Sequence, residues 1–162
     1  YVLEPFLEKW QKTMPKNAQF VRTPGVFNEL WAVHARAYYA FEALGITDKM
    51  HGPLFHALHA DKQPLNDAQS IAGFVARRGG DSKAFLDAYN SFGVGASVKR
   101  SVDLTRAYDI DGTPALVIDG KYVIAPSMDG YISRDRIDYE LFFKGVDQLI
   151  ALARKERAAA KR

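Results

Sequence analysis

The sequence predicts an α/β fold in which an all-helical block interrupts a region that carries a small sheet. Three observations lead there. From Asn28 to about Tyr108, apolar residues recur at three- and four-residue steps. After Asp109 the pattern changes to two short apolar runs split by Asp119-Gly120. Amphipathic helical segments stand at both ends of the chain. With 162 residues, 48% of them hydrophobic and 25% charged, the composition is that of a water-soluble globular domain. A chain of this length buries roughly 70% of the surface it exposes when unfolded, so it needs no covalent staple.

The elements follow in order. Leu3, Phe6, Leu7, Trp10 and Met14 lie on one helical face, with Glu4, Glu8, Lys9 and Lys12 between them and Pro15 as the stop. Pro5 is harmless in a first turn and would kink a helix that began further upstream. Ala18-Gln19-Phe20-Val21-Arg22 reads as a short strand ended by Thr23-Pro24-Gly25. Asn28 caps a helix through Trp31, Tyr38, Phe41 and Leu44, closed by Gly45. A second inserted helix runs from about Thr47 to Ala60 despite Gly52-Pro53. Asp67 opens a third through Ile71, Phe74 and Val75, stopped at Gly79-Gly80, and Asp81 or Ser82 opens a fourth through Phe85, Leu86 and Tyr89. A fifth runs from about Ala96 to Tyr108. Ala115-Leu116-Val117-Ile118, Asp119-Gly120 and Lys121-Tyr122-Val123-Ile124 then spell a hairpin, because Asp-Gly supplies the positive φ angles of a two-residue turn. A last helix is expected from about Arg134 or Asp135, with Ile137, Leu141, Val146, Leu149 and Ile150 on its apolar side.

One strand and one hairpin make a poor sheet. The expectation is therefore that a strand preceding Tyr1 is missing, and that this sequence is a piece of something longer. A chain that opens on Tyr1 inside a helix, with no initiator Met and no leader, points the same way. Alone, such a chain is expected to be unstable or to associate, since unpaired backbone and apolar surface would be exposed.

Composition also excludes functions. The apolar stretches are broken by charge too often for a membrane span. The net charge of +3 is concentrated in Arg154, Lys155, Arg157, Lys161 and Arg162 against Glu156, a solvated helix end rather than a nucleic-acid stripe. No cysteine is present, so the chain has no disulfide, thiolate nucleophile or cysteine metal site. Of four histidines, His34 stands apart, while His51, His56 and His59 share one predicted helix without a carboxylate at zinc-motif spacing. They read as solvated or half-buried side chains, and no metal or other cofactor is expected. Asp135 and Asp138 favour the positive end of the last helix rather than forming a catalytic pair.

Asp111-Gly112-Thr113-Pro114-Ala115 directly precedes the hairpin. Here the chain resembles the thioredoxin superfamily, in which a Gly-Xaa-Pro element carries a cis proline at the start of a strand. A cis bond before proline costs only about 0.5–1 kcal/mol. The alternative for these residues alone is a trans proline at a strand entrance; the following Ala115-Leu116-Val117-Ile118-Asp119-Gly120-Lys121-Tyr122 favours the cis form.

Within that superfamily the chain resembles the DsbA-type periplasmic disulfide oxidoreductases. Tyr1-Val2-Leu3-Glu4-Pro5-Phe6 looks like the segment after the second cysteine of their Cys-Pro-His-Cys motif. Trp31 to Asp48, ending Ala43-Leu44-Gly45-Ile46-Thr47-Asp48, resembles their first inserted helix, and Pro53-Leu54-Phe55 and Ser91-Phe92 resemble later landmarks. The resemblance implies a thioredoxin-like fold with an inserted all-helical domain, its N-terminal sheet portion and both cysteines absent. It divides the chain into three: residues 1–27, thioredoxin-like, with a helix and a strand; residues 28–108, the helical insertion; and residues 109–162, again thioredoxin-like.

The resemblance also implies a function: introduction of disulfides into unfolded secreted polypeptides by dithiol–disulfide exchange. It implies a periplasmic location, a membrane redox partner that reoxidises the protein, no nucleic acid and no embedding in the membrane. Gly112, Thr113 and Pro114 are then the substrate-binding residues. Pro114, Thr113, Glu4 and Arg22 take the catalytic roles, with Thr113 close to the sulfurs and Glu4 a buried carboxylate paired with Arg22. Without a partner, such a carboxylate would neutralise itself. A partly exposed Glu on a helix face and a plain strand Thr are the structural alternatives. Without its own cysteines the chain is expected to be redox-inactive. Two other functions stay open: a cysteine-free peptide-binding or holdase module of the same fold, and a kappa-type glutathione transferase or isomerase. Ala125-Pro126-Ser127-Met128-Asp129-Gly130 looks less like the latter.

Overall fold

Asn28, Asp67, Asp81, Ser91 and Asp138 each adopt an extended backbone and turn a side-chain oxygen onto an N–H of the following turn, so five helices start where short polar side chains permit it. The computed structural model describes residues 1–133 and 136–160. The elements are α1 Glu4–Gln11, α2 Glu29–Ala43, α3 Thr47–His59, α4 Ala68–Arg77, α5 Ser82–Tyr89 and α6 Phe92–Ala107. They are followed by β1 Leu116–Ile118, β2 Tyr122–Ile124, β3 Ile132–Ser133, β4 Arg136–Ile137 and α7 Tyr139–Ala159. They fall into two compact units, Tyr1 with 22–109 and 2–21 with 110–162.

The first unit is wholly helical. Phe41 of α2, Ile71, Phe74 and Val75 of α4 and Phe85 of α5 are completely buried, and Met50, Leu54 and Ala57 bring the inner face of α3 onto the same cluster. The i, i+3, i+4 spacing of these residues puts each set on one face. Asp67 and Ser70 form a reciprocal capping box, the Asp67 carboxylate accepting Ser70 N–H at 2.7 Å.

The second unit packs α1 and α7 against the β1–β2 hairpin. Leu3, Leu7 and Trp10 meet Phe142, Phe143 and Val146, with Ile118 and Ile124 completing the core. Trp10 stacks on Phe143, ring centroids 5.2 Å apart, and its Nε1–H donates to Asp147 at 2.9 Å. The hairpin register pairs Leu116 with Ile124, Val117 with Val123 and Ile118 with Tyr122. Period two then turns Ile118 and Ile124 into the core and leaves Val117 exposed.

The structure corrects several expectations. Residues 18–22 form no strand: among the described residues no strand lies beside them, and a strand exists only through its ladder. Phe20 instead turns its ring edge-on to Trp10 at 6.5 Å. The helix expected from Ala96 begins at Phe92, because Ser91 caps it and Gly93 and Gly95 are tolerated in its first turns. The Asp-Gly turn has the expected positive φ values, +57° at Asp119 and +68° at Gly120, but Ile118 pairs with Tyr122, so Lys121 is one residue more than a two-residue loop. Arg134 and Asp135, the expected start of the last helix, lie outside the described residues. α7 begins at Tyr139 with Asp138 as its cap, and Ile137, expected on the helix's apolar side, pairs with Ile132 in a second hairpin.

Candidate functional site

The polypeptide leaves α6 through Asp109, at φ +50°, and reaches β1 through Ile110 to Ala115. In this approach Gly112 is half-buried, Thr113 and Pro114 are exposed, and the Thr113–Pro114 peptide bond is cis, as the motif predicts. β1 pairs with β2 on one side; on its other side no strand is present among the described residues. An exposed loop with a cis bond therefore leads into β1, and exposed backbone of this kind can pair with an extended chain.

Two sets of contacts hold this edge in place. Ile118 and Ile124 anchor the hairpin in the core of α1 and α7, and a polar set ties its turn to the end of α7. Glu156 accepts from the Tyr122 hydroxyl at 2.6 Å and from Lys121 Nζ at 2.9 Å. Arg157 Nε donates to Asp119 at 2.8 Å, and the Arg154 guanidinium reaches the Asn17 side chain. The Tyr122 hydroxyl, then the Lys121 ammonium, hold the Glu156 carboxyl below its ordinary value. Glu156 in turn raises the Tyr122 hydroxyl and the Lys121 ammonium.

The expected site residues are not all in one unit. Gly112, Thr113, Pro114 and Glu4 belong to the second, with Glu4 half-buried in the first turn of α1 and Pro5 beside it in that turn. Arg22 is half-buried in the first unit, where its charge opposes the upward shift of the Tyr38 hydroxyl that burial and the hydrogen bond to Glu42 produce. The histidines serve local contacts. His34 Nε2 donates to Leu65 O at 2.8 Å, Tyr1 stacks on His59, and His56 stands 3.5 Å from Asp61. Burial, with neighbouring positive charge, pulls the His59 imidazole down. Among the described residues no group of three or more His, Asp or Glu is placed to hold a metal ion. The first unit carries a shallow depression of about 420 Å³ between Tyr39, Glu42 and Ser97, lined by none of the expected site residues.

Comparison with known proteins agrees with this geometry. Residues 7–141 match the DSBA-like thioredoxin domain family. Over 127 residues the chain is 41% identical to the thiol:disulfide interchange protein DsbA of Burkholderia cepacia, covering 78% of this chain and 60% of that protein. Over 162 residues it is 33% identical to the DsbA of Pseudomonas aeruginosa, covering 100% of this chain and 72% of that one. The crystal structure of Pseudomonas aeruginosa DsbA superposes with a TM-score of 0.80 at 30% identity, over 100% of this chain and 79% of that one. A Proteus mirabilis DsbA in complex with a non-covalently bound peptide matches with a TM-score of 0.74 at 25% identity, over 90% of this chain and 77% of that one. The chain belongs to the DSBA-like thioredoxin domain family and has the thioredoxin-like fold with a helical insertion. It spans about three-fifths to three-quarters of the curated relatives' length and contains no cysteine, hence no thiol or disulfide of its own. Among the described residues no helix is long and apolar enough to cross a membrane.

Proposed function

We propose that this chain is the peptide-facing body of a thiol:disulfide interchange protein, with Gly112, Thr113 and Pro114 as the docking edge for an extended, unfolded secreted polypeptide. The observation that carries the reading is the exposed Thr113–Pro114 approach to β1, with its cis peptide bond, in a chain of this family. Backbone pairing along such an exposed approach gives affinity without demanding one sequence, which suits a protein that meets many unfolded chains. Exchange itself belongs to the whole protein: a substrate thiolate attacks a protein disulfide, the mixed disulfide is resolved by the second substrate thiol, and the protein is left as a dithiol. In that setting Thr113 adjoins the sulfurs, and Glu4 and Arg22 manage charge as thiols become thiolates. A membrane redox partner and a periplasmic location complete the reading.

A labelled, reduced and alkylated secreted polypeptide tests the docking edge by fluorescence anisotropy. Thr113→Arg sets a long side chain over the edge and is expected to weaken binding at least about tenfold, the loss of about 1.4 kcal/mol. Thr113→Val keeps the shape and is expected to bind like the original. If both folded variants bind alike, the edge is not the docking site.

A second reading keeps the same docking segment without redox chemistry, as a peptide-binding module. A thiol count on the denatured, reduced protein isolated from its source separates them. Two thiols support exchange, and none supports the module.

A further inference from the structure

With no cysteine, the only sulfur in this chain is in the thioethers of Met14, Met50 and Met128. Their surroundings differ. Met50 is 3% exposed, inside the core of the first unit. Met14 is half-buried against the core of the second. Met128 is 42% exposed, in the turn that leaves β2. That turn is closed twice by the same two residues: Met128 N–H donates to Ala125 O at 3.1 Å, and Ala125 N–H donates to the Met128 sulfur at 3.4 Å. The sulfur is thus fixed over its own turn, outside any core, with Ser127, Asp129 and Gly130 exposed around it and Pro126 buried beneath.

We propose that Met128 is a methionine-oxidation site, converted to the sulfoxide by peroxide-class oxidants in preference to Met14 and Met50. A sulfur lone pair attacks one peroxide oxygen and the O–O bond breaks. The thioether gives up two electrons to become the sulfoxide, and the departing oxygen takes the proton and leaves as water or alcohol. Oxidation follows exposure of the thioether, and methionine sulfoxide reductases reverse it. The geometry adds a consequence that exposure alone lacks. A sulfoxide oxygen is a stronger acceptor than a thioether sulfur and stays within reach of Ala125 N–H. Oxidation therefore keeps the turn closed while making the exposed side chain polar.

The test is a hydrogen peroxide time course on the full folded chain, read by peptide-level mass spectrometry as the gain of one oxygen at each methionine. Met128 is expected to reach half-conversion at least about tenfold sooner than Met50 and ahead of Met14, and denaturation in urea is expected to erase the difference. Equal rates in the folded chain, or Met14 leading, would overturn the site. Amide exchange at Ala125 is the second readout. It is expected to be slower in the sulfoxide than in Met128→Leu, which lacks an acceptor; exchange as fast in the sulfoxide as in that variant overturns the closed turn.

Discussion

Phe142→Ala tests what holds the docking edge. The ring is fully buried in α7, where Tyr131 meets it edge-on at 5.5 Å and Phe143 at 5.1 Å, and the core that includes Ile118 and Ile124 surrounds it. Removing roughly 150 Å² of buried apolar surface at about 25 cal/mol per Å² loses about 4 kcal/mol. Measured Phe→Ala costs in cores, about 3–5 kcal/mol, agree. Spread over a urea dependence of about 2 kcal/mol per molar, this lowers the unfolding midpoint by about 2 M. Fluorescence of Trp10, stacked on Phe143 in the same core, reports it in a Trp31→Phe background, where Trp10 is the one indole. The matched control is Phe92→Ala, the same deletion at a residue 92% exposed, expected to change stability by no more than about 0.5 kcal/mol. A Phe142→Ala midpoint indistinguishable from that of Phe92→Ala would refute the packing account.

Three further outcomes are expected. Asn28→Ala removes the acceptor for Trp31 N–H and costs about 1 kcal/mol, read as a lower thermal midpoint with earlier exchange at the start of α2. The Glu156 carboxyl is depressed in the folded chain, so its contribution is complete above its unfolded value of about 4.3 and is lost as pH falls through the lower folded one. Glu156→Gln is expected to flatten that acid limb, measured as stability against pH. Gly145 lies so close to the Tyr131 hydroxyl and ring that a Cβ there would collide, while Ile124 Cδ1 would stand 3.2 Å away. Gly145→Ala is therefore expected to destabilise by about 1–3 kcal/mol despite the gain in helix propensity, and Tyr131→Phe in the same chain to recover some of it, measured as a double-mutant cycle.

Much of the architecture was legible because local chemistry dictates it. Asn28, Asp67 and Asp81 cap helices as their side chains require, and Asp119-Gly120 turns the hairpin. The errors have local causes too. Gly93 and Gly95 masked the first turn of α6, although Ser91 signalled it. Ile137 suits a 3.6-residue period and a strand equally, and β3 and β4 are two residues each, too short for alternation to show. Ala18–Arg22 has strand composition without a ladder partner, which no local pattern reveals. At the candidate site, Gly112-Thr113-Pro114 was readable as one contiguous landmark. Glu4 and Arg22, separated in sequence and lying in different units, enter only as what the family resemblance implies.

Extended peptide is expected to dock along the approach to β1. Chemical-shift mapping of the isotopically labelled chain, titrated with an unfolded peptide that carries serine in place of cysteine, tests it most directly. Saturable shifts are expected, concentrated at Gly112, Thr113 and Ala115. Shifts confined to the helical unit, or none at saturating peptide, would contradict it.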